Sequence, residues 1–458
     1  MENVKNNNYL GTEKISQLMI KFSVPCVLSL MIGALYNIVD QIFIGNSELS
    51  TLGNAATGVV FPIFILGQAF AWTLSSGCAT YLNICQGRQD SEGIHRAVGT
   101  CATAGLIISI LLVAFIFPLR TPILLFFGAS SANLPLAEEY LNIILAFYPT
   151  YIFANMTMGT ISADGSPTYA MFMLLSGAIA NLILDPIFIF VFKWGMSGAA
   201  YATVAGQILS CAVAIAYFCR PKTFKLRKES FIPDLKIFPS IIRYGSSTFV
   251  AQTTLLLVTV ICNTTLVKYG SISHYGPDIP IAVYGIACKF FTIVMEIVVG
   301  VALGCQPVIS YNIGAEKYDR VKELYNKILF CTLFIGIFFT LLFQLAPEFV
   351  IGLFGEPTNI PNPEDYWIFA EKTFRIHLML ISFTALVKMY SIFFQASGKP
   401  LYALIASVVR DVVCFVPLVF ILPAVYGIEG MLFAAPVSDF VAMATVLYLS
   451  VKFWKSMK

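Results

Sequence analysis

Long apolar stretches separated by short polar segments run along the whole chain. Twelve of them are long enough to cross a bilayer as helices, since a spanning helix needs about 20 mostly apolar residues. They are residues 15–44, 53–84, 97–119, 137–160, 167–191, 197–219, 239–268, 281–312, 322–345, 368–395, 400–425 and 428–453. The stretch from Leu106 to Leu119 is almost continuously apolar and does not alternate, which favours helices over the strands of a membrane barrel. The pattern predicts an all-α polytopic membrane protein with twelve transmembrane helices.

Composition supports this interpretation and excludes several other classes of protein. Of the 458 residues, 58% are hydrophobic and only 12% are charged, whereas soluble proteins carry about 25% charged residues. Such a chain cannot cover soluble domains with polar surface, and its net charge of +3 does not favour nucleic-acid binding. The eleven cysteines include no CxxC spacing and histidines number three, so neither a zinc site nor a disulfide framework is indicated. We expect no cofactor other than a coupling ion.

The basic residues are distributed unevenly between the two sides of the predicted helices. Twenty Lys and Arg fall on the side that holds both termini, against five on the opposite side. The positive-inside rule therefore places both termini in the cytoplasm, in a multi-pass protein of the plasma membrane. Residues 1–14 are polar and do not resemble a cleavable signal peptide.

Three segments of the first half recur in the same order in the second half. Gly77–Gly87 resembles Gly304–Gly314, Ala163–Ala170 resembles Ala396–Ala403, and Trp194–Gly198 resembles Tyr426–Gly430. We therefore predict an N-lobe over residues 1–219, a cytoplasmic linker over 220–238 and a C-lobe over 239–458. Parallel repeats of six helices are typical of secondary transporters that work by alternating access.

Enzyme chemistry and nucleotide-driven pumping find no support in the sequence. No GxxxxGK[ST] nucleotide motif is present, and no loop is long enough to hold a nucleotide-binding domain. Two of the three histidines lie outside the predicted spans, so no Ser/His/Asp set can be argued. We therefore predict that the protein is not an enzyme and that an ion gradient drives it.

Ionisable residues at membrane depth are costly and are functional candidates by default. In the first half these are Asp40 and Asp185, with no intramembrane base beside them. Asn181 precedes Asp185 by one helical turn, and Thr203 adds a hydroxyl in the sixth span. Carboxylates, amides and hydroxyls can hold a hard cation or exchange protons. We predict a coupling-ion site for H⁺ or Na⁺, with the alternative that each acid only hydrogen-bonds a neighbouring helix. The predicted residues are Asp40, Asp185, Asn181, Thr203 and Asn155.

Aromatic, thioether and amide side chains near this site predict contacts with flat organic cations. The predicted substrate-binding residues are Tyr36, Asn37, Met31, Phe153, Met158, Met173 and Gln207. The alternative for the Phe and Met side chains is that they pack helices or face lipid.

The second half carries both signs of charge inside its spans. These residues are Lys289, Glu296, Lys388, Arg410, Asp411 and Asp439. They can pair with one another, as Lys289 with Glu296, or contact substrate, and the sequence leaves their role open.

Several motifs resemble the multidrug and toxic compound extrusion (MATE) family of transporters. They are VDQIFIG at Val39–Gly45, NLILDP at Asn181–Pro186, GAAYAT at Gly198–Thr203, QPVISYNIGA at Gln306–Ala315 and FAAPVSD at Phe433–Asp439. The resemblance covers essentially the whole chain. It implies export of cationic, lipophilic drugs in exchange for Na⁺ or H⁺, a role in antibiotic resistance, and a monomer in the lipid bilayer with small-molecule partners.

Within the family, the resemblance is to prokaryotic members with an acidic site in the first lobe. It implies that Asp40, Asn181, Asp185 and Thr203 form that site. Another branch relies on a Glu in the seventh span and an Asp in the tenth, where this chain offers Gln252 and Lys388. The alternative function is a flippase of lipid-linked precursors from the same superfamily, for which Lys289, Lys388 and Arg410 would supply positive charge.

Overall fold

The computed structural model describes residues 8–47, 50–276, 278–352 and 363–456, and throughout these residues the secondary structure is helical. The α-helices in chain order are α1 (Ile15–Gly45), α2 (Ser50–Gly87), α3 (Ser91–Ile116), α4 (Arg120–Phe126), α5 (Leu134–Ala146), α6 (Tyr148–Ala163), α7 (Pro167–Pro186), α8 (Gly195–Phe218), α9 (Phe238–Gly270), α10 (Asp278–Gly314), α11 (Tyr318–Leu345), α12 (Pro347–Gly352), α13 (Pro363–Lys372), α14 (Ile381–Ala396), α15 (Pro400–Val408), α16 (Val416–Tyr426), α17 (Ile428–Leu432) and α18 (Ala434–Ser456).

Most of the predicted spans are present as helices of the expected length. Within the described residues, ten helical segments are long and apolar enough to cross a membrane. An eleventh span is added when the segments Pro363–His377 and Ile381–Ala396, bent by 45° at their junction, count as one. The prediction of an all-α, multi-pass membrane protein is confirmed.

The predicted span 137–160 differs from the others because it is divided. α5 ends at Ala146 and α6 begins at Tyr148, so neither helix reaches the length of about 20 residues that a bilayer requires. Pro149 has no N–H to donate to the carbonyl of Leu145, and the N–H of Phe147 donates to the carbonyl of Ile144 at 3.2 Å. The two helices together cover the predicted span, with a break that periodicity alone does not indicate.

Wide π-helical turns interrupt repeat-related spans in both halves of the chain. In the first half, Pro186 ends α7 and is followed by a turn over Ile187–Val191, in which the N–H of Phe192 donates to the carbonyl of Ile187 at 2.9 Å. In the second half, a turn over Val409–Phe415 joins α15 to α16. Such turns are frequent at functional sites, and both lie next to intramembrane charges.

One compact unit comprises residues 1–252, 303–321 and 396–398. Its core is built by α2, α3, α5, α6 and α8 around fully buried Tyr148, whose hydroxyl donates to the carbonyl of Ile63 at 2.6 Å. The second compact unit comprises residues 253–302, 322–395 and 399–458, and its core centres on phenylalanines such as Phe343, Phe369 and Phe374.

These units are divided by spatial contact, whereas the predicted lobes are divided by sequence repeat. Residues 239–252, which belong to the predicted C-lobe, pack within the first unit. The same unit holds residues 303–321, which also belong to the predicted C-lobe. The lobe boundaries at 219 and 239 therefore stay a prediction about the repeat.

The predicted linker is ordered against α3. The N–H of Asp234 donates to the hydroxyl of Thr100 at 3.1 Å, and the carboxylate of Asp234 accepts from Arg96 at 3.2 Å. Hydrogen bonds from the backbone of Lys236 and from Arg96 hold the pKa of Asp234 below its usual value. The polar segment between the halves is thus part of the first unit.

Candidate functional site

Two carboxyl groups from different helices meet inside the first unit. α1 carries Asp40 and packs against α7, which carries Asp185. The two side chains are close enough to interact electrostatically, and Asp185 is only 1% exposed. Two negative charges this close repel each other, so the pair is stabilised when a proton or a cation is held between them.

Two glycines allow α7 and α8 to approach closely beside this pair. A Cβ atom added at Gly177 would lie 2.6 Å from the carbonyl of Gly206, and one added at Gly206 would lie 2.5 Å from the carbonyl of Gly177. Real Cβ atoms do not come so near, so only glycine permits this crossing. One turn further along α7, the amide of Asn181 donates to the hydroxyl of Thr203 on α8 at 3.5 Å. Close helix packing therefore brings the predicted amide and hydroxyl together.

Two tyrosines line the carboxyl pair. Tyr36, one turn before Asp40 on α1, lies within electrostatic range of both acids. Tyr140 on α5 is buried, lies next to the hydroxyl of Thr203, and is also within range of both acids. Tyr140 is not recognisable as a site residue from the sequence, because only the fold brings α5 to α8.

Several carboxyl and amide oxygens of this cluster lack donors among the residues that the structure describes. One oxygen of Asp40 and both oxygens of Asp185 are buried without a hydrogen-bond partner there. The amide oxygen of Gln207, one turn after Thr203, is also buried without a hydrogen-bond partner there. Buried acceptors without donors are costly, and a proton or an oxygen-seeking cation would satisfy them. The arrangement is therefore suited to binding H⁺ or Na⁺. The coupling role of Asp40, Asp185, Asn181 and Thr203 stays a prediction.

Asn155, the fifth predicted member, has its hydrogen bonds elsewhere. Its side-chain oxygen accepts from the indole N–H of Trp72 at 3.4 Å, and its amide donates to the carbonyl of Tyr151 at 2.9 Å. These partners belong to α2 and α6, so the amide joins those two helices. A role in ion coupling stays a prediction for this residue.

The predicted substrate contacts divide into two groups. Met173 is fully buried against Ala170 and Tyr217, with Phe153 and Met158 packed on the same cluster. In this conformation Met173 is a core residue, and the packing alternative applies to it because α6, α7 and α8 close around it. Met31 and Tyr36 are half-buried on α1, and the side chain of Asn37 lies outside the described residues.

In the second unit, four of the intramembrane charges form one buried network. Arg410, in the π-helical turn, donates to Asp411 at 2.5 Å and to Asp439 on α18 at 2.7 Å. The ammonium of Lys388 on α14 lies 3.7 Å from Asp411. Two bases and two acids thus neutralise one another, which confirms pairing for these four residues, while pairing of Lys289 with Glu296 stays a prediction.

Comparison with known proteins shows which family this chain belongs to. The MatE family model matches residues 25–187 and 243–421, which is most of the chain and both repeats. The chain belongs to the MatE family. Members of this family are transporters, and the long apolar helices of this MatE protein make it a multi-pass membrane protein.

Relatives of this MatE protein include multidrug export proteins of staphylococci. The multidrug export protein MepA of Staphylococcus aureus is 24% identical over 440 residues, covering 94% of this chain and 92% of the relative. MepA of Staphylococcus haemolyticus is 22% identical over 442 residues, covering 96% and 94%.

Solved transporter structures share the fold. A MOP superfamily transporter from Pyrococcus furiosus superposes with a TM-score of 0.90 at 21% identity, over 100% of this chain and 99% of the other. A mutant of the Vibrio cholerae MATE transporter VcmN gives a TM-score of 0.87 at 19% identity, over 96% and 97%. At this identity the likeness establishes the two-lobe MATE fold.

Proposed function

We propose that this protein is an antiporter that exports organic, cationic amphiphilic compounds across the plasma membrane in exchange for Na⁺ or H⁺. The observation that carries the proposal is the adjacent pair Asp40 and Asp185, buried in a membrane helix bundle with oxygens that lack donors among the described residues. Membership of the MatE family and the multidrug export function named for MepA support the transport of drug-like molecules.

In the proposed mechanism, a cation enters from the exterior and binds the carboxyl pair. Asn181 and Thr203 supply the neutral oxygen ligands for Na⁺, and the same carboxyls accept the proton if the ion is H⁺. Binding removes the repulsion between Asp40 and Asp185 and favours a closer approach of α1 and α7. The rearrangement of α1 displaces substrate from beside Tyr36 towards the exterior.

The proposal includes the setting that the sequence and the family resemblance predict. Both termini lie in the cytoplasm, the transporter acts as a monomer, and exchange needs no cofactor other than the coupling ion. The partners are small molecules and the lipid bilayer, and nucleic acid is not among them.

A flippase for lipid-linked precursors is the second candidate function. It requires unneutralised positive charge to hold phosphate groups inside the bundle. Lys388 and Arg410 are instead engaged by Asp411 and Asp439, so the observation that favoured this candidate is weakened. Scrambling of lipids by the purified protein in the absence of any ion gradient would restore it.

Transport by proteoliposomes under separately imposed gradients tests the proposal. Purified protein is reconstituted, a fluorescent cationic dye is supplied, and either a Na⁺ gradient or a pH gradient is applied alone. We expect dye movement against its own gradient under one of the two conditions and dissipation by the matching ionophore. Movement that is the same with and without either gradient contradicts an antiport mechanism.

A further inference from the structure

A cavity of about 520 Å³ lies in the first unit at the start of α7. Three helices contribute to it: α1 through Lys21, α7 through Tyr169 and Phe172, and α8 through Tyr217, with Arg220 two residues beyond the end of α8. Lys222, at the start of the linker, completes its wall. These are the helices that carry the proposed coupling site, but the cavity is at their opposite ends.

The wall of this cavity is strongly basic. Lys21, Arg220 and Lys222 line it, and no acidic side chain does so among the residues that the structure describes. The ammonium of Lys21 also lies 3.8 Å from the carboxylate of Glu13, outside the wall. Three cationic groups around one concave space favour an anion with several oxygen atoms, such as a phosphate group.

The floor of the cavity is held in place by a buried carboxylate. Asp164 is fully buried and accepts the hydroxyl of Tyr217 at 2.6 Å, the N–H of Lys222 at 2.7 Å and the N–H of Thr223 at 2.9 Å. The hydroxyl of Tyr217 also contacts the side chain of Ser166 at 2.8 Å. These bonds fix the backbone that carries Lys222 relative to α7 and α8, so the basic wall is built before any ligand arrives.

The position of the cavity indicates where such an anion comes from. The N-terminus of α7 and the C-terminus of α8 are the ends of two membrane spans, so the cavity lies at the boundary between lipid and water. Phe172, one turn into α7, is 56% exposed and opens the wall towards the apolar surface of the bundle. Basic groups beside an apolar exit match a phospholipid, whose headgroup and acyl chains need both environments.

We infer that this cavity binds the headgroup of an anionic phospholipid, with its acyl chains passing Phe172. Bound lipid would contact the ends of α1, α7 and α8. It would thereby influence how these helices, which hold Asp40, Asp185 and Thr203, pack against one another. The inference does not depend on the proposed antiport, because lipid binding is measured without any gradient or drug.

Titration of a fluorescent phosphatidylglycerol into the purified full-length protein, in an uncharged detergent, tests the inference. We expect saturable binding to the parent and weaker binding of a fluorescent phosphatidylcholine. The variant Arg220→Gln/Lys222→Gln should weaken phosphatidylglycerol binding roughly 25-fold, about fivefold for each cationic group removed near a lipid surface. The charge-preserving variant Arg220→Lys/Lys222→Arg should retain most of the binding and shows whether the loop still folds.

A matched control removes two charges from the same linker outside the cavity, as Lys225→Gln/Lys228→Gln. Equal losses in this control and in the cavity variant would show that binding follows net charge alone, and this would overturn the inference. Displacement of the lipid by an equal concentration of inorganic phosphate would also overturn it, because the site would then hold free phosphate. Failure of dye transport with intact, selective lipid binding would count against the antiport proposal only.

Discussion

The carboxyl group of Asp40 on α1 lies beside that of Asp185 on α7, in the interior of the first unit. The oxygens that are buried there find no donor among the described residues. Two carboxylates in such a place are stable only if a proton or a cation is shared between them. The pair is therefore expected to act as one binding site, and substitutions in it should not be independent.

The first prediction concerns this interdependence. Asp185→Asn should reduce ion-driven dye efflux by roughly tenfold or more. A typical coupling free energy of about 1–3 kcal/mol corresponds to a factor of about 5–150. Adding Asp40→Asn should cause little further loss, since the first substitution already removes the shared ion. Efflux from vesicles that contain equal amounts of each variant measures this. Losses that multiply in the double variant would mean that the two acids act separately.

The second prediction concerns Tyr140, which only the fold connects with the site. Tyr140→Phe removes a hydroxyl beside Thr203, and a hydrogen-bonding group of this kind contributes about 1 kcal/mol. We expect the concentration of coupling ion that gives half-maximal efflux to rise about fivefold, since 1.4 kcal/mol corresponds to a factor of ten. Tyr201→Phe, at an exposed position on α8, is the control. An unchanged ion dependence in Tyr140→Phe would remove this residue from the site.

The third prediction concerns the close crossing of α7 and α8. Gly177→Ala places a methyl group 2.6 Å from the carbonyl of Gly206, so the helices must separate. Overpacking of this kind costs about 1–3 kcal/mol. Thermal unfolding in detergent should show a lower melting temperature, whereas Gly58→Ala, which meets no atom within 4 Å, should not. Equal melting temperatures for the two variants would be inconsistent with the crossing described here.

The fourth prediction concerns the buried charges of the second unit. Arg410→Met leaves Asp439 buried without its guanidinium partner, which costs about 3–5 kcal/mol. The variant Arg410→Met/Asp439→Leu removes both charges and should recover part of the lost thermal stability. If Arg410→Met melts like the parent, the network does not contribute to folding, and a role in substrate contact becomes the better explanation.

The sequence was most informative where a residue type can have only a few roles inside a membrane. Apolar runs predicted the spans, and the spacing of Asn181 and Asp185 on one helix face predicted half of the site. A second acid is recognisable because it is so costly at membrane depth, but its contact with the first depends on how α1 packs against α7. The sequence therefore singled out Asp40 and Asp185 as candidates, and the fold was needed to bring their side chains together.

What the sequence could not supply lies in tertiary packing. Tyr140 looks like any aromatic residue in an apolar helix until α5 is placed against α8. Met173 looks like a ligand contact until α6, α7 and α8 enclose it. The break between α5 and α6 depends on one missing N–H at Pro149, which hydropathy does not register. In each case the deciding interaction joins residues from different helices or concerns a single backbone bond.

The most direct test of the central claim is dye efflux in everted vesicles that carry Asp40→Asn, with the parent and Gln252→Asn at matched expression. Across a series of imposed Na⁺ and pH gradients, the account predicts that the parent and Gln252→Asn accumulate dye in proportion to the gradient. It predicts that Asp40→Asn stays at the passive level under every gradient. Accumulation by Asp40→Asn equal to that of the parent at each gradient would contradict the claim that this carboxyl group holds the coupling ion.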